Sequence, residues 1–130
     1  MADFTNMDKL EQIFAMQNML DEDIRQRRGL NDKFTPEEWI QKKILATLSE
    51  LSELLDEVNF KWWKNPKELN YDLIKGELTD ILHFFVSMCL TAGMSAEELY
   101  NYYVEKNKEN FDRQNGLSKK QGYNILDTKQ

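Results

Sequence analysis

Apolar residues recur at three- and four-residue intervals along most of the chain, and no apolar run sustains the two-residue alternation of a half-buried strand. The pattern predicts four helices. The first runs from about Asn6 to Arg28, carries Leu10, Ile13, Phe14, Gln17, Leu20 and Ile24 at helical spacing, and stops at Gly29. The second opens with TPEE, a capping box in which Thr35 caps the helix, Pro36 takes the first helical position and Glu38 reaches back. It continues to about Val58, with Ile40, Ile44, Leu48, Leu51, Leu55 and Val58 as its apolar stripe. The stretch NFKWWKNPKELN holds a proline and reads as a long connection. A third helix runs from about Tyr71 to Ala92 and is stopped by Gly93, and SAEE from Ser95 is a second capping box. It opens a fourth helix that reaches about Asn115, before Gly116. The segment LSKKQGYNILDTKQ reads as a tail that orders only on a ligand or partner. The expected organisation is one helical domain over 1–116 and a phosphate-closing tail over 117–130.

Composition narrows the class. A chain of 130 residues with 41% apolar content suits one small core with little to spare, so the expected fold is all-α: an antiparallel bundle of four to five helices completed by dimerisation. The net charge of −6 argues against broad electrostatic binding to nucleic acid or to an anionic membrane. Cys89 is the single cysteine, which excludes an internal disulfide. The first residues lack the pattern of a secretory signal, and the longest apolar stretch, ILHFFVSMCLTA, is too short to span a bilayer. The expectation is a cytoplasmic protein.

Candidate chemistry begins with Glu50, Glu53 and Glu57, which fall within a sector of roughly 60° on the second helix, away from Leu51 and Leu55. Such a stripe is either a solvated face or a second interface, and it also carries Trp39 and Ala46. The third helix favours the latter. Glu77 and Asp80 lie one turn apart on a helix that is apolar on nearly all sides, where a carboxylate needs a partner or a metal. Antiparallel packing of these two helices would bring Glu50, Glu53, Glu77 and Asp80 together. All-oxygen ligation suits Mg²⁺ or Mn²⁺ better than zinc. On the fourth helix, Lys106, Asn110 and Arg113 recur on one face and suit a phosphate chain, with Lys119, Lys120 and Tyr123 following in the tail. Phe60, Trp62 and Trp63 sit between Lys61 and Lys64, a core cluster or a platform for a nucleobase with phosphate-binding lysines beside it. His83 alone reads as a core histidine, and Gln17 as a boundary residue or a buried amide that reads a base edge.

With those residues in view, the chain resembles the all-α nucleoside triphosphate pyrophosphatase superfamily, MazG-like proteins included, and within it the dimeric dUTPase family. The superfamily resemblance rests on ELSE at 50–53 followed by ELTD at 77–80. The closer one rests on FKWWK, on DILHF at 80–84, and on KNKENFDRQ at 106–114 followed by Gly122 and Tyr123. The opening MQNML, with Gln17, is similar to the family's base-contacting first helix. Asp21 stands where that pattern has an amide partner for Gln17. What the resemblance implies is a helical homodimer, or a higher homo-oligomer, hydrolysing dUTP and also dUDP to dUMP with Mg²⁺. Glu50, Glu53, Glu77 and Asp80 would bind metal, with Glu53, and Glu50 beside it, acting on the attacking water. Lys61, Lys64, Lys106, Asn110, Arg113 and Tyr123 would hold phosphates, while Gln17, Trp62, His83 and Phe84 would line the base and sugar pocket. A relative acting on dCTP or a non-canonical nucleotide would keep the same four carboxylates, and a non-enzymatic bundle whose acidic stripes bind a partner protein is the alternative of another class.

Overall fold

The computed structural model describes residues 3–123, and residues 124–130 of the expected tail lie outside the described part. Four α-helices and no strands make up the described residues: α1 (Lys9–Arg27), α2 (Pro36–Glu57), α3 (Tyr71–Thr91) and α4 (Ala96–Gln114). The all-α expectation holds, and each helix ends within a few residues of where its punctuation lies. Asp8 caps α1, accepting from the amide of Glu11, which is why the helix begins at Lys9 and not at about Asn6. The capping box of α2 is formed in full by Thr35 and Glu38. Asn70 caps α3 by accepting from the amides of Asp72 and Leu73. Gly29 and Gly93, with φ of 63° and 77°, let the chain leave α1 and α3 through a left-handed residue. The next amides, Leu30 and Met94, then reach back to the carbonyls of Arg25 and Cys89.

The chain divides into two compact units, residues 1–95 and 96–130. In the first, α2 and α1 both pack on α3. Lys43, early in α2, donates to the Thr91 hydroxyl at 2.6 Å near the end of α3, so these two helices run antiparallel. Gln17 meets His83 and Asp21 meets Ser87, pairs with the same offset, so α1 and α3 run parallel. Phe14, Val86 and Cys89 are shut off from water, together with the polar Gln17 and Ser87. Asn59, just past α2 with a φ of 58°, clamps the α2–α3 connection by accepting from the Lys67 amide and donating to its carbonyl, both at 2.9 Å.

Which side of α2 faces inward is the main departure from the periodicity. Trp39, Lys43, Ala46, Glu50, Leu54 and Glu57 are half-buried, whereas Ile44, Leu48, Leu51, Leu55 and Val58 are 40–55% exposed. The acidic stripe therefore turns toward α3, and the apolar stripe turns outward. Likewise α3 is not covered on all sides, because Leu73, Leu78, Leu82 and Phe85 stay 40–52% exposed. Three helices cannot bury two apolar faces of each, and packing has favoured the face with small and polar residues, Ala46 and Thr47, that lets the backbones approach. No single helix among the described residues is long and apolar enough to cross a membrane.

Candidate functional site

The inward stripe of α2 carries Glu50 and Glu53, and the first half of α3 sets Glu77 against them. One carboxylate oxygen from each lies within 4.8 Å of the others. Glu50 and Glu77 are half-buried, and Glu53 is exposed. One oxygen of Glu50 and one of Glu77 are shut off from solvent without a hydrogen-bond partner. Unpaired buried oxygens and converging like charges are both unfavourable, and a proton or a cation relieves them. Loss of water, and then the adjacent Glu50 and Glu53 carboxyls, push Glu77 up to about 7. The orphaned oxygens and the all-carboxylate donor set fit a hard divalent cation such as Mg²⁺ or Mn²⁺. Asp80 lies one turn beyond Glu77, exposed and outside this trio, and lines the cavity described next. Glu57 is engaged elsewhere, in an ion pair with Lys67 at 3.1 Å.

A cavity of about 560 Å³ opens between α1, α2 and α3, and Glu50 belongs to both it and the carboxylate trio. Its walls include Gln17 and Asp21 from α1, Trp39, Lys43 and Ala46 from α2, and Asp80, His83, Phe84 and Ser87 from α3. Trp39 and Glu50 stand about 16 Å apart along the axis of α2, at about 1.5 Å per residue, so the cavity has an aromatic, cationic end and an acidic end. Trp39 is held edge-to-face by Phe34 at 5.1 Å, and the Lys43 ammonium sits 5.4 Å from its ring centroid. Burial pulls the Lys43 ammonium below its ordinary value, opposed by the Asp21 carboxylate and reinforced by Arg25. Along one wall runs a chain of hydrogen bonds. The Ser87 hydroxyl donates to Asp21 at 2.7 Å, the Gln17 amide nitrogen donates to Asp21 at 2.9 Å, and Gln17 Oε1 meets His83 Nδ1 at 2.7 Å.

Gln17, His83 and Phe84 thus share one cavity, as the base-reading expectation requires of them, while Trp62 does not line it. Trp62 is 86% exposed in the α2–α3 connection, edge-to-face with Trp63 at 4.6 Å. Lys61 and Lys64 line a separate 250 Å³ pocket with Asn59 and Phe60, and Lys61 reaches Asp56 at 3.8 Å. In the second unit, Arg113 donates to Asn110 at 3.2 Å, pairs with Glu109 at 3.6 Å and lies 5.6 Å from the Tyr123 ring. Its Nε is buried and unpaired, and Lys106 lines a 430 Å³ pocket nearby on α4. Asp21, Trp39, Lys43 and Ser87 are among the wall residues that lie outside the set of site residues drawn from the sequence. Extending the Glu57–Glu53–Glu50 stripe backward through Ala46 reaches Lys43 and Trp39, so that signal was present. Ser87 carried none, because a serine on an apolar helix ordinarily bonds its own backbone.

A family model described as dUTPase matches residues 9–95, the stretch that holds α1, α2 and α3. The chain is 37% identical over 87 residues to a dCTP pyrophosphatase of Enterobacteria phage T4, covering 56% of this chain and 51% of that protein. It is 54% identical over 41 residues to a dCTP pyrophosphatase of Enterobacteria phage LZ5, covering 32% of this chain and 24% of that protein. The chain therefore spans about half the length of the first relative and about a quarter of the second. No solved structure matches it significantly. With the family model matching well over half of its length, across all three helices that build the carboxylate trio and the cavity, the chain belongs to the all-α dUTPase family.

Proposed function

We propose that the chain is a Mg²⁺-dependent dUTP pyrophosphatase. Water attacks the triphosphate, the phosphoanhydride bond between the α and β phosphorus atoms breaks, and dUMP and pyrophosphate leave; dUDP gives dUMP and phosphate. The observation that carries this reading is that Glu50 belongs at once to the trio with two orphaned oxygens and to a cavity large enough for a nucleotide. Glu50, Glu53 and Glu77 would hold the cation, with Asp80 one turn away. When bound, Mg²⁺ would neutralise charge on the phosphate chain and acidify water. Glu53, the exposed member of the trio, orients the attacking water and takes its proton. Gln17, His83 and Phe84 line the base and sugar end. Lys61 and Lys64 after α2 supply donors suited to phosphates, and, within the second unit by itself, Lys106, Asn110, Arg113 and Tyr123 carry the same donor chemistry.

The phage relatives, both dCTP pyrophosphatases, favour a second reading, dCTP as the substrate. Initial rates with dUTP, dCTP, dTTP and UTP at saturating Mg²⁺ separate the two. Highest kcat/KM with dUTP is the expected result, and a preference for dCTP would move the proposal to the second reading.

The outward stripe of Ile44, Leu48, Leu51, Leu55 and Val58 supports a homodimer, because a continuous apolar helix face of this kind is costly to leave in water. Light scattering at micromolar concentration should return twice the 15.5 kDa chain mass. Leu48→Glu combined with Leu55→Glu should return the chain mass itself. A monomeric parent protein would contradict the assignment.

A further inference from the structure

The hydrogen-bond chain on the cavity wall has a direction, and one residue sets it. Asp21 accepts from Ser87 through one oxygen and from Gln17 through the other. A carboxylate offers only acceptors, so the Gln17 amide must turn its nitrogen toward Asp21 and its oxygen toward α3. The reverse orientation would set an amide oxygen against a carboxylate at 2.9 Å. With Gln17 Oε1 facing His83 Nδ1 at 2.7 Å, that ring nitrogen must carry the proton. His83 Nε2 is then a lone-pair acceptor, and the second amide hydrogen of Gln17 is a donor. Gln17 is 6% exposed and Ser87 2% exposed, so water does not offer either an alternative partner.

We propose that Asp21 is the polarity-setting residue of the base-reading wall: it fixes the amide of Gln17 and thereby holds His83 as its Nδ1–H tautomer, so that the wall presents a defined set of donors and acceptors to a pyrimidine edge. Asp21 acts through Gln17 and His83 and is a positioning residue. An asparagine in its place has both a donor and an acceptor, which lets the whole chain reverse, with Nε2 becoming the donor.

His83 is the only histidine in the chain, so its two nitrogens can be read without ambiguity by long-range proton–nitrogen NMR. At about pH 8.5, where imidazole is ordinarily neutral, the parent protein should show the Nδ1–H form, although free histidine favours Nε2–H. Asp21→Asn should shift His83 toward Nε2–H, and Asp21→Glu should restore Nδ1–H. Ser87→Ala, which removes a donor without reversing the chain, should leave the tautomer as it was. An Nε2–H parent protein, or an Asp21→Asn protein that is folded and still purely Nδ1–H, would overturn the inference.

The consequence for selectivity rests on the proposed pyrophosphatase reading. Asp21→Asn should change the ratio of kcat/KM for dUTP over dCTP by about tenfold, the net worth of about one hydrogen bond. An unchanged ratio would overturn the link to base choice. Absence of turnover in the parent protein would sink the pyrophosphatase reading alone, because the tautomer measurement needs no substrate.

Discussion

Glu50→Gln and Glu53→Gln should each lower pyrophosphate release from dUTP on the order of a thousandfold, the several-kcal/mol share of barrier lowering that a catalytic cation supplies, while raising the melting temperature of the metal-free protein. The two effects have one cause. Three carboxylates within 4.8 Å, two with orphaned oxygens, are a poor arrangement for an empty protein and a good one for a divalent cation. Glutamine keeps the shape, removes a negative charge and offers a donor to its neighbours. Steady-state rates and calorimetric melting in EDTA measure the two sides separately. If either variant turned over dUTP like the parent, or if both melted lower than the parent in EDTA, the trio would be an ordinary structural cluster.

That result would also bear on how much of the molecule its sequence foretells. Helix existence and order, and the Thr35–Glu38 box and the glycines at the ends of α1 and α3, were readable because they follow from local chemistry, whereas the Asn70 cap of α3 went unread. The ELSE and ELTD pairs were readable as partners because antiparallel packing of consecutive long helices leaves few other registers, and Glu50, Glu53 and Glu77 do converge. The inward face of α2 was not readable. Periodicity says that Ile44, Leu48 and Leu55 want burial, and it does not say whether their own chain or a second copy provides it. The far end of the cavity was partly readable: Trp39 continued the acidic stripe, but a lysine on that stripe looks like any solvated charge until Thr91 is found 2.6 Å away. The Asp21 position looked like a departure from a pattern, and only the bonds to Gln17 and Ser87 give it a role.

The second large effect is a metal-dependent reversal of pH sensitivity. Glu77 titrates from 4.5 in the unfolded chain to about 7 in the folded one, so between those values the folded state binds more protons. Its contribution to stability is therefore fullest below 4.5, declines as pH rises, and is lost above about 7. In EDTA the parent protein should lose ground against Glu77→Gln as pH rises from about 5 to about 8. Mg²⁺ should reverse the ranking at the upper pH, raising the parent's melting temperature by about 10 °C at a hundredfold excess over Kd. Glu77→Gln should respond weakly to the ion. A parent protein whose melting curve is indifferent to Mg²⁺ at the upper pH would remove the cation from the proposal, and a parent that gained on Glu77→Gln with rising pH in EDTA would contradict the clustering of charge.

The most direct measurement is the product analysis of dUTP and dCTP incubated with the parent protein, in Mg²⁺ and in EDTA. Equimolar nucleoside monophosphate and pyrophosphate in Mg²⁺, with neither in EDTA, is the result the carboxylate trio and its cavity lead to. No product in either condition, products that persist in EDTA, or release of single phosphates from the triphosphate would contradict it.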